Sequence, residues 1–270
     1  MKLGKILGIG TAASLLVLAC TTNPMTGRKS LQIGSLNSQI VTSSFQQYKE
    51  TLAKSKVVTG TAAASQVQKV GNNIKNAAIK YYSSIGRSSD LDGYAWEFAL
   101  IQDDQVNAWC MPGGKVAVYT GILNTTQNET GMAVVMGHEV AHALAGHGNE
   151  RISQQVIAQY GSQILGGTVS NGQIGQVIQA VYPLGAQVAL LKYGRTQELE
   201  ADEMGLYFMA MAGYDPRQAS PFWERMQALS KGSSTPEFLS THPNQENRKA
   251  DIAKHLPKAL EYYKAAGGKL

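Results

Sequence analysis

Apolar residues recur at helical spacing across residues 45–53 and 62–82, where Val67, Val70, Ile74, Ala77 and Ala78 line one face, and the pattern predicts two helices. Residues 94–101 instead alternate, and with 106–110 and 115–120 they predict three strands around the turn Met111-Pro112-Gly113-Gly114. Residues 130–147 carry Ala133, Val134, Met136, Gly137, Val140, Ala141 and Leu144, as expected of a mostly buried helix. From 152 to 191 a Gln-, Gly- and Val-rich stretch is broken at Gly166-Gly167 and Gly172 into at least two helical pieces. Gln173, Gln176, Gln179 and Gln187 recur too often there for a lipid-facing helix, so the stretch is expected to cover the buried helix or to form a mobile flap. Residues 198–211 and 216–228 predict two more helices. The fold expected is α+β, mainly α, with a small sheet whose edge strand borders the buried helix.

The first 20 residues stand apart: Lys2 and Lys5 precede an apolar run that ends at Cys20, the pattern of an export signal. That run, about 14 residues, falls short of the roughly 20 a spanning helix needs. Val17-Leu18-Ala19-Cys20 looks like a bacterial lipobox, in which the leader is cut before a cysteine that then carries lipid; the alternative is a plain secretory leader with an incidental cysteine. Residues 21–44 are polar, with Asn23-Pro24 as a turn signal, and read as a tether. The expected organisation is therefore a leader over 1–19, a lipidated Cys20 with its tether over 20–44, and one domain over 45–270. A length of 270 residues with 43% apolar content suits one core.

Cysteine count and charge remove other classes. With Cys20 lipidated, Cys110 has no partner, which excludes a disulfide framework. The net charge of +5 includes Lys2 and Lys5, and the other basic residues are scattered, so no nucleic-acid partner is expected.

The buried helix carries His138-Glu139-Val140-Ala141-His142. Residues four apart share a helix face, so both imidazoles can reach one Zn²⁺, with Glu139 placed as general base toward an activated water. The five-residue pattern also occurs by chance on helices with two satisfied histidines, so a third ligand decides the matter. His147 follows His142 by five positions, whereas the metzincin spacing needs six and a glycine where Ala145 stands. It reads as a helix-end residue near the negative pole of the dipole.

Glu198, Ala201, Asp202 and Gly205 share one face of the later helix, while Glu200 and Glu203 point roughly 200° and about 140° away and are expected to be solvated. Small residues would let this face approach Ala141 and Ala145. Glu198 then becomes the third ligand, and Asp202 orients a ligand histidine through its other ring nitrogen. The competing description is an acidic surface helix, which the upstream motif disfavours.

Five spaced elements in order resemble the gluzincin endopeptidases of metallopeptidase family forty-eight: Asn107-Ala108-Trp109-Cys110-Met111-Pro112-Gly113-Gly114, His138 to His142, Arg195 to Asp202, Ala212-Gly213-Tyr214-Asp215-Pro216, and Thr241-His242-Pro243 with Arg248. That family includes the CAAX prenyl protease, HtpX and a mitochondrial inner-membrane quality-control protease, and Asn23-Pro24-Met25-Thr26-Gly27 resembles the tether of its lipoprotein branch. The resemblance implies one zinc held by His138, His142 and Glu198, with Glu139 catalytic, and His242 and Arg248 stabilising the oxyanion. It also implies that Asn107, Ala108 and Trp109 belong to an edge strand binding extended polypeptide, though Trp109 can equally be buried in the core, and Thr241-His242-Pro243 can equally be a turn that caps a helix. The expectation is a zinc endopeptidase acting on extended or misfolded envelope proteins, lipid-anchored at the periplasmic face of the outer membrane. The alternatives are a proteolytically silent chaperone or adaptor, which the intact Glu139 disfavours, and a structural or lectin-like module with an incidental histidine pair.

Overall fold

The computed structural model describes residues 18–165, 169–181, 193–230, 236–242 and 247–269. The leader segment before 18 and the parts of the expected flap at 166–168 and 182–191 lie outside the described residues, as does Pro243.

A four-stranded sheet has the order β3 (Val57–Val58), β4 (Glu97–Ile101), β6 (Lys115–Tyr119), β5 (Ala108–Met111). β4 and β6 run parallel and the other pairs antiparallel, which leaves β5 at the edge. Side chains alternate across the sheet. Ala99, Ile101, Trp109, Met111, Ala117 and Tyr119 share a cluster with Tyr48 of α1 (Asn37–Lys54). Phe98, Leu100, Ala108, Cys110, Val116 and Val118 face the main core, built with α2 (Ala62–Ser84) and α4 (Glu129–Leu144). Between β6 and α4 lies a single turn of helix, α3 (Leu123–Thr126). Both faces of the sheet are thus covered, and β5 is the edge strand that packs on α4.

α4 is buried from Gly131 to Ala143, as its apolar run predicts. Asn128 caps it, its side chain accepting the Gly131 N–H at 3.0 Å. It crosses α7 (Arg195–Met211) with almost no space between backbones: a Cβ at Gly205 would sit 2.8 Å from His138 N, and one at Gly137 would sit 2.9 Å from Gly205 O. This contact sets the distance between the histidines of α4 and the carboxylates of α7. The chain closes with α8 (Ala219–Leu229), α9 (Glu237–Thr241) and α10 (Arg248–Ala265), and α10 packs on α7.

Three expectations need correction. The predicted helix over 130–147 is two helices: α4 ends at Leu144, Gly146 takes a left-handed φ of +67°, and α5 (His147–Leu165) starts afresh. His147 therefore opens α5 and does not end α4. Residues 20–44 are no tether. β1 (Leu18–Thr22) and β2 (Lys29–Ile33) form an antiparallel hairpin, α1 begins at Asn37, and Ile33, Leu36 and Ile40 pack with Ile152 and Val156 of α5 and with α6 (Asn171–Val181). Finally, the described parts of 152–191 do more than cover α4: α5 packs on β2 as well as on α4, and α6 packs on α5. None of the helices of the described residues is long and apolar enough to cross a membrane.

Candidate metal centre

Where α4 and α7 cross, His138, His142 and Glu198 are each no more than 1% exposed. With His242, which follows α9, they offer one donor atom each within 4.8 Å of one another. The Nε2 atoms of His138 and His142 stand 3.0 Å apart, Glu198 Oε1 is 3.3 Å from His142 Nε2, and His242 Nδ1 is 3.2 Å from His138 Nε2 and 2.9 Å from Glu198 Oε1.

Converging, buried imidazole nitrogens and a carboxylate form a donor set of the N/O type that borderline divalent ions favour, in a number suited to tetrahedral coordination. A second observation points the same way. Glu139 Oε1 is buried with no hydrogen-bond partner among the described residues, and His242 Nε2 lies 3.5 Å from it. The donor chemistry therefore fits a metal ion.

The electrostatics favour ligand-competent forms. Burial drives His138 and His142 well below their ordinary range despite Glu198, so both rings are neutral. Burial pushes Glu198 up, but the charge of His242 and hydrogen bonds from His142 and His242 outweigh it and hold the carboxylate well below its usual range. Burial pulls His242 down, whereas Glu139 and Glu198 raise it further, and it ends above its ordinary value. Glu139 is pushed up to about 7, first by burial and then by Glu198, against the charge of His242 and a backbone N–H from Cys110. Burial likewise pushes Asp202 up to about 6. A divalent charge at the cluster would pull both carboxyls back down.

The neighbours of the histidines hold them in place. Asp202 Oδ1 stands 2.9 Å from His138 Nδ1, as its position on the α7 face predicts, and Arg248 Nε donates to Asp202 Oδ2 at 2.6 Å. Arg248 NH2 donates to Glu198 Oε2 at 2.8 Å, and the guanidinium lies 3.9 Å over the Trp223 ring. Arg248 thus stands behind the carboxylates and grips both, while its other terminal nitrogen is buried with no hydrogen-bond partner among the described residues. His242 does reach the cluster, its ring stacked on Phe238 at 4.4 Å.

Along β5, Asn107, Ala108 and Trp109 are all buried. Trp109 points to the α1 side, 5.9 Å from Tyr48, and its Nε1 donates to Tyr119 Oη at 3.3 Å. Asn107 O accepts the Tyr119 N–H at 3.0 Å, so by the alternation of antiparallel pairs the backbone groups of Ala108 and Cys110 face away from β6, the Cys110 N–H toward Glu139. Among the described residues the side chain of Asn107 bonds only the next residue, accepting the Ala108 N–H at 2.9 Å. At the head of the strand, Phe238 N–H donates to Val106 O at 3.2 Å. Cys20 is exposed, in β1.

Several residues of the centre escaped the sequence reading. Tyr193 stacks on His142 with ring centres 3.8 Å apart. Glu200, expected in solvent, is 4% exposed, because the hairpin loop covers that side of α7: Thr26 Oγ1 donates to its Oε1 at 2.5 Å and Arg28 Nε to its Oε2. Glu203 is also half-buried, 3.3 Å from His255 Nδ1. His147 is fully buried against His142. Helical phase says which way a side chain points and nothing about what lies over it.

A buried His-Glu-x-x-His helix crossed by a second helix that presents an acidic donor is the arrangement of a gluzincin metallopeptidase domain. The chain belongs to peptidase family M48, whose model matches residues 65–256. It is 35% identical over 179 residues to mitochondrial metalloendopeptidase OMA1 of Arabidopsis thaliana, covering 66% of this chain and 35% of that one. With mitochondrial metalloendopeptidase OMA1 of Saccharomyces cerevisiae it shares 34% over 183 residues, 65% of this chain and 51% of that one. With the beta-barrel assembly-enhancing protease of Escherichia coli it shares 29% over 164 residues, 58% and 33% respectively. The chain thus spans between a third and a half of the length of these curated relatives.

Proposed function

We propose that this chain is a zinc-dependent endopeptidase that cleaves extended or misfolded polypeptides, with Glu139 as general base. The carrying observation is the unpartnered Glu139 Oε1, buried beside the His138, His142 and Glu198 donors at the open edge of β5. His138, His142 and Glu198 would hold the ion. Zinc, when bound there, supplies a Lewis-acid charge that polarises a peptide carbonyl and lowers the pKa of water to roughly 7.

Glu139 takes one proton as the water oxygen attacks the carbonyl carbon, then hands it to the amine nitrogen as the C–N bond breaks. The outward carbonyls of Ala108 and Cys110 accept from a substrate laid alongside them, since the N–H of Ala108 is held by Asn107 and that of Cys110 by Glu139, and main-chain pairing accepts any sequence. His242, held toward its cationic form, donates to the oxyanion. A catalytic site keeps one position for water, so His138, His142 and Glu198 would hold the ion while His242 stands beside it as a donor. Arg248 keeps Glu198 and Asp202 aimed.

The test is zinc content and casein cleavage by the full chain with and without chelator. Wild type is expected to carry one zinc and to lose activity on chelation, and Glu198→Ala to bind zinc more weakly by over the roughly 100-fold that losing an outer partner can cost. Wild-type protein with no zinc affinity, or cleavage indifferent to chelator, defeats the proposal.

A membrane anchor at Cys20 is part of the same reading, supported by the lipobox-like run before it and by its exposure in β1, and it places the domain at a cell-envelope membrane. Incorporation of labelled fatty acid should disappear in Cys20→Ser; label that persists refutes the anchor.

A further inference from the structure

His142 turns Nε2 to the donor cluster and Nδ1 away from it. Nδ1 of His147 stands 2.8 Å behind that second nitrogen, and His147 Nε2 lies 2.9 Å from Glu200 Oε2. Glu200 is itself gripped by Thr26 and Arg28 of the hairpin loop, and the terminal nitrogens of Arg28 donate to Glu150 at 3.0 and 2.8 Å. Gln197 completes the lock by donating to Glu150 at 2.8 Å.

The protons along this line are determined by chemistry. An imidazole that gives its Nε2 lone pair to a cation keeps its one proton on Nδ1. His142 must then donate from Nδ1, His147 must accept at Nδ1, and the proton of His147 must sit on Nε2, facing an ionised carboxylate. The opposite tautomer of His147 would set two N–H groups head to head.

We propose that His147, fixed by Glu200 and by Arg28 of the N-terminal hairpin, is the positioning residue for the metal ligand His142. The proposal rests on His142 being a ligand. It mirrors the Asp202–Arg248 pair behind His138, with an imidazole interposed between ligand and carboxylate. Its arginine comes from residue 28, outside the segment the family model matches. The hairpin is thereby a working part of the metal centre, and its loop decides how rigidly one of the zinc-facing rings is held. A negative charge passed through His147 makes His142 a more basic donor, as carboxylate partners do for ligand histidines generally.

The experiment uses the full chain as wild type, His147→Phe, His147→Gln, Arg28→Met and His142→Ala. Zinc affinity is read by competition with a chromophoric chelator, ligand geometry by the visible spectrum of the cobalt(II)-substituted protein, and folding by melting of the metal-free forms. His147→Phe keeps the ring and should weaken zinc about 10–100-fold with a shifted cobalt spectrum. His147→Gln, which retains an acceptor and a donor, should recover most of that loss, and Arg28→Met should move affinity less, in the same direction. Nitrogen NMR of zinc-loaded wild type should find His147 protonated on Nε2 alone. A role in packing alone predicts lower melting of metal-free His147→Phe with no rescue by glutamine, and that result overturns the proposal. So does a His147 protonated on Nδ1. Zinc uptake that His142→Ala abolishes but His147→Phe leaves at wild-type strength defeats the positioning role alone; no uptake by wild type defeats the metal-centre reading as well.

Discussion

Glu139→Gln is expected to retain its metal and lose peptide cleavage by about 10²–10⁴-fold, the range a positioned proton acceptor contributes. Glutamine matches the size of the buried side chain, and its carbonyl oxygen can still receive the Cys110 N–H that now reaches Glu139. It cannot take a proton from water. The measurement is turnover of a quenched fluorescent casein beside zinc stoichiometry on the same preparations. Undiminished turnover removes Glu139 from the chemistry. Zinc loss in step with activity would instead make it a structural support of the ligands.

The second large effect is expected at the helix crossing. Gly205→Val would put a branched side chain where a single Cβ already lies 2.8 Å from His138 N and 2.9 Å from Gly137 C. Those are backbone atoms inside a helix, so α4 and α7 must part. Overpacking of this kind costs typically about 1–3 kcal/mol, and the upper end applies where no flexible side chain can yield. Parting the helices also moves Glu198 away from both histidines, so zinc affinity should fall together with the denaturant midpoint. Gly175→Ala serves as control, since Gly175 has open space around its missing Cβ. Equal affinities in Gly205→Val and wild type would mean that the crossing does not set the ligand spacing.

The parts of the centre that lie on one helix were legible. His138, Glu139 and His142 follow from spacing four apart on α4, and Glu198 with Asp202 from their shared face on α7. Local periodicity carries that information because a helix fixes relative directions without reference to the rest of the fold. What stayed hidden comes from long-range docking. Arg28 finds Glu150 and Glu200 across 122 and 172 positions of chain, and nothing in a polar stretch of Ser, Thr, Gln and Asn announces such partners. α1 was read too short for the same reason: Ser44, Gln47 and Thr51 are buried, so its inner face does not look apolar. His147 was misplaced by the assumption of one continuous helix, although Gly146 marked the break.

The folded hairpin also bears on where substrates can be met. As a free segment, residues 20–44 would let a lipid-held domain roam about 80 Å at full extension. Instead Cys20 sits within β1, paired with Leu31, and the hairpin is bolted through Arg28 to helices of the catalytic body. An anchored Cys20 would therefore leave the domain little leash and keep it within a thin layer of the envelope at the bilayer surface. Polypeptides stalled at the membrane surface fall within that layer, and chains adrift in the compartment do not.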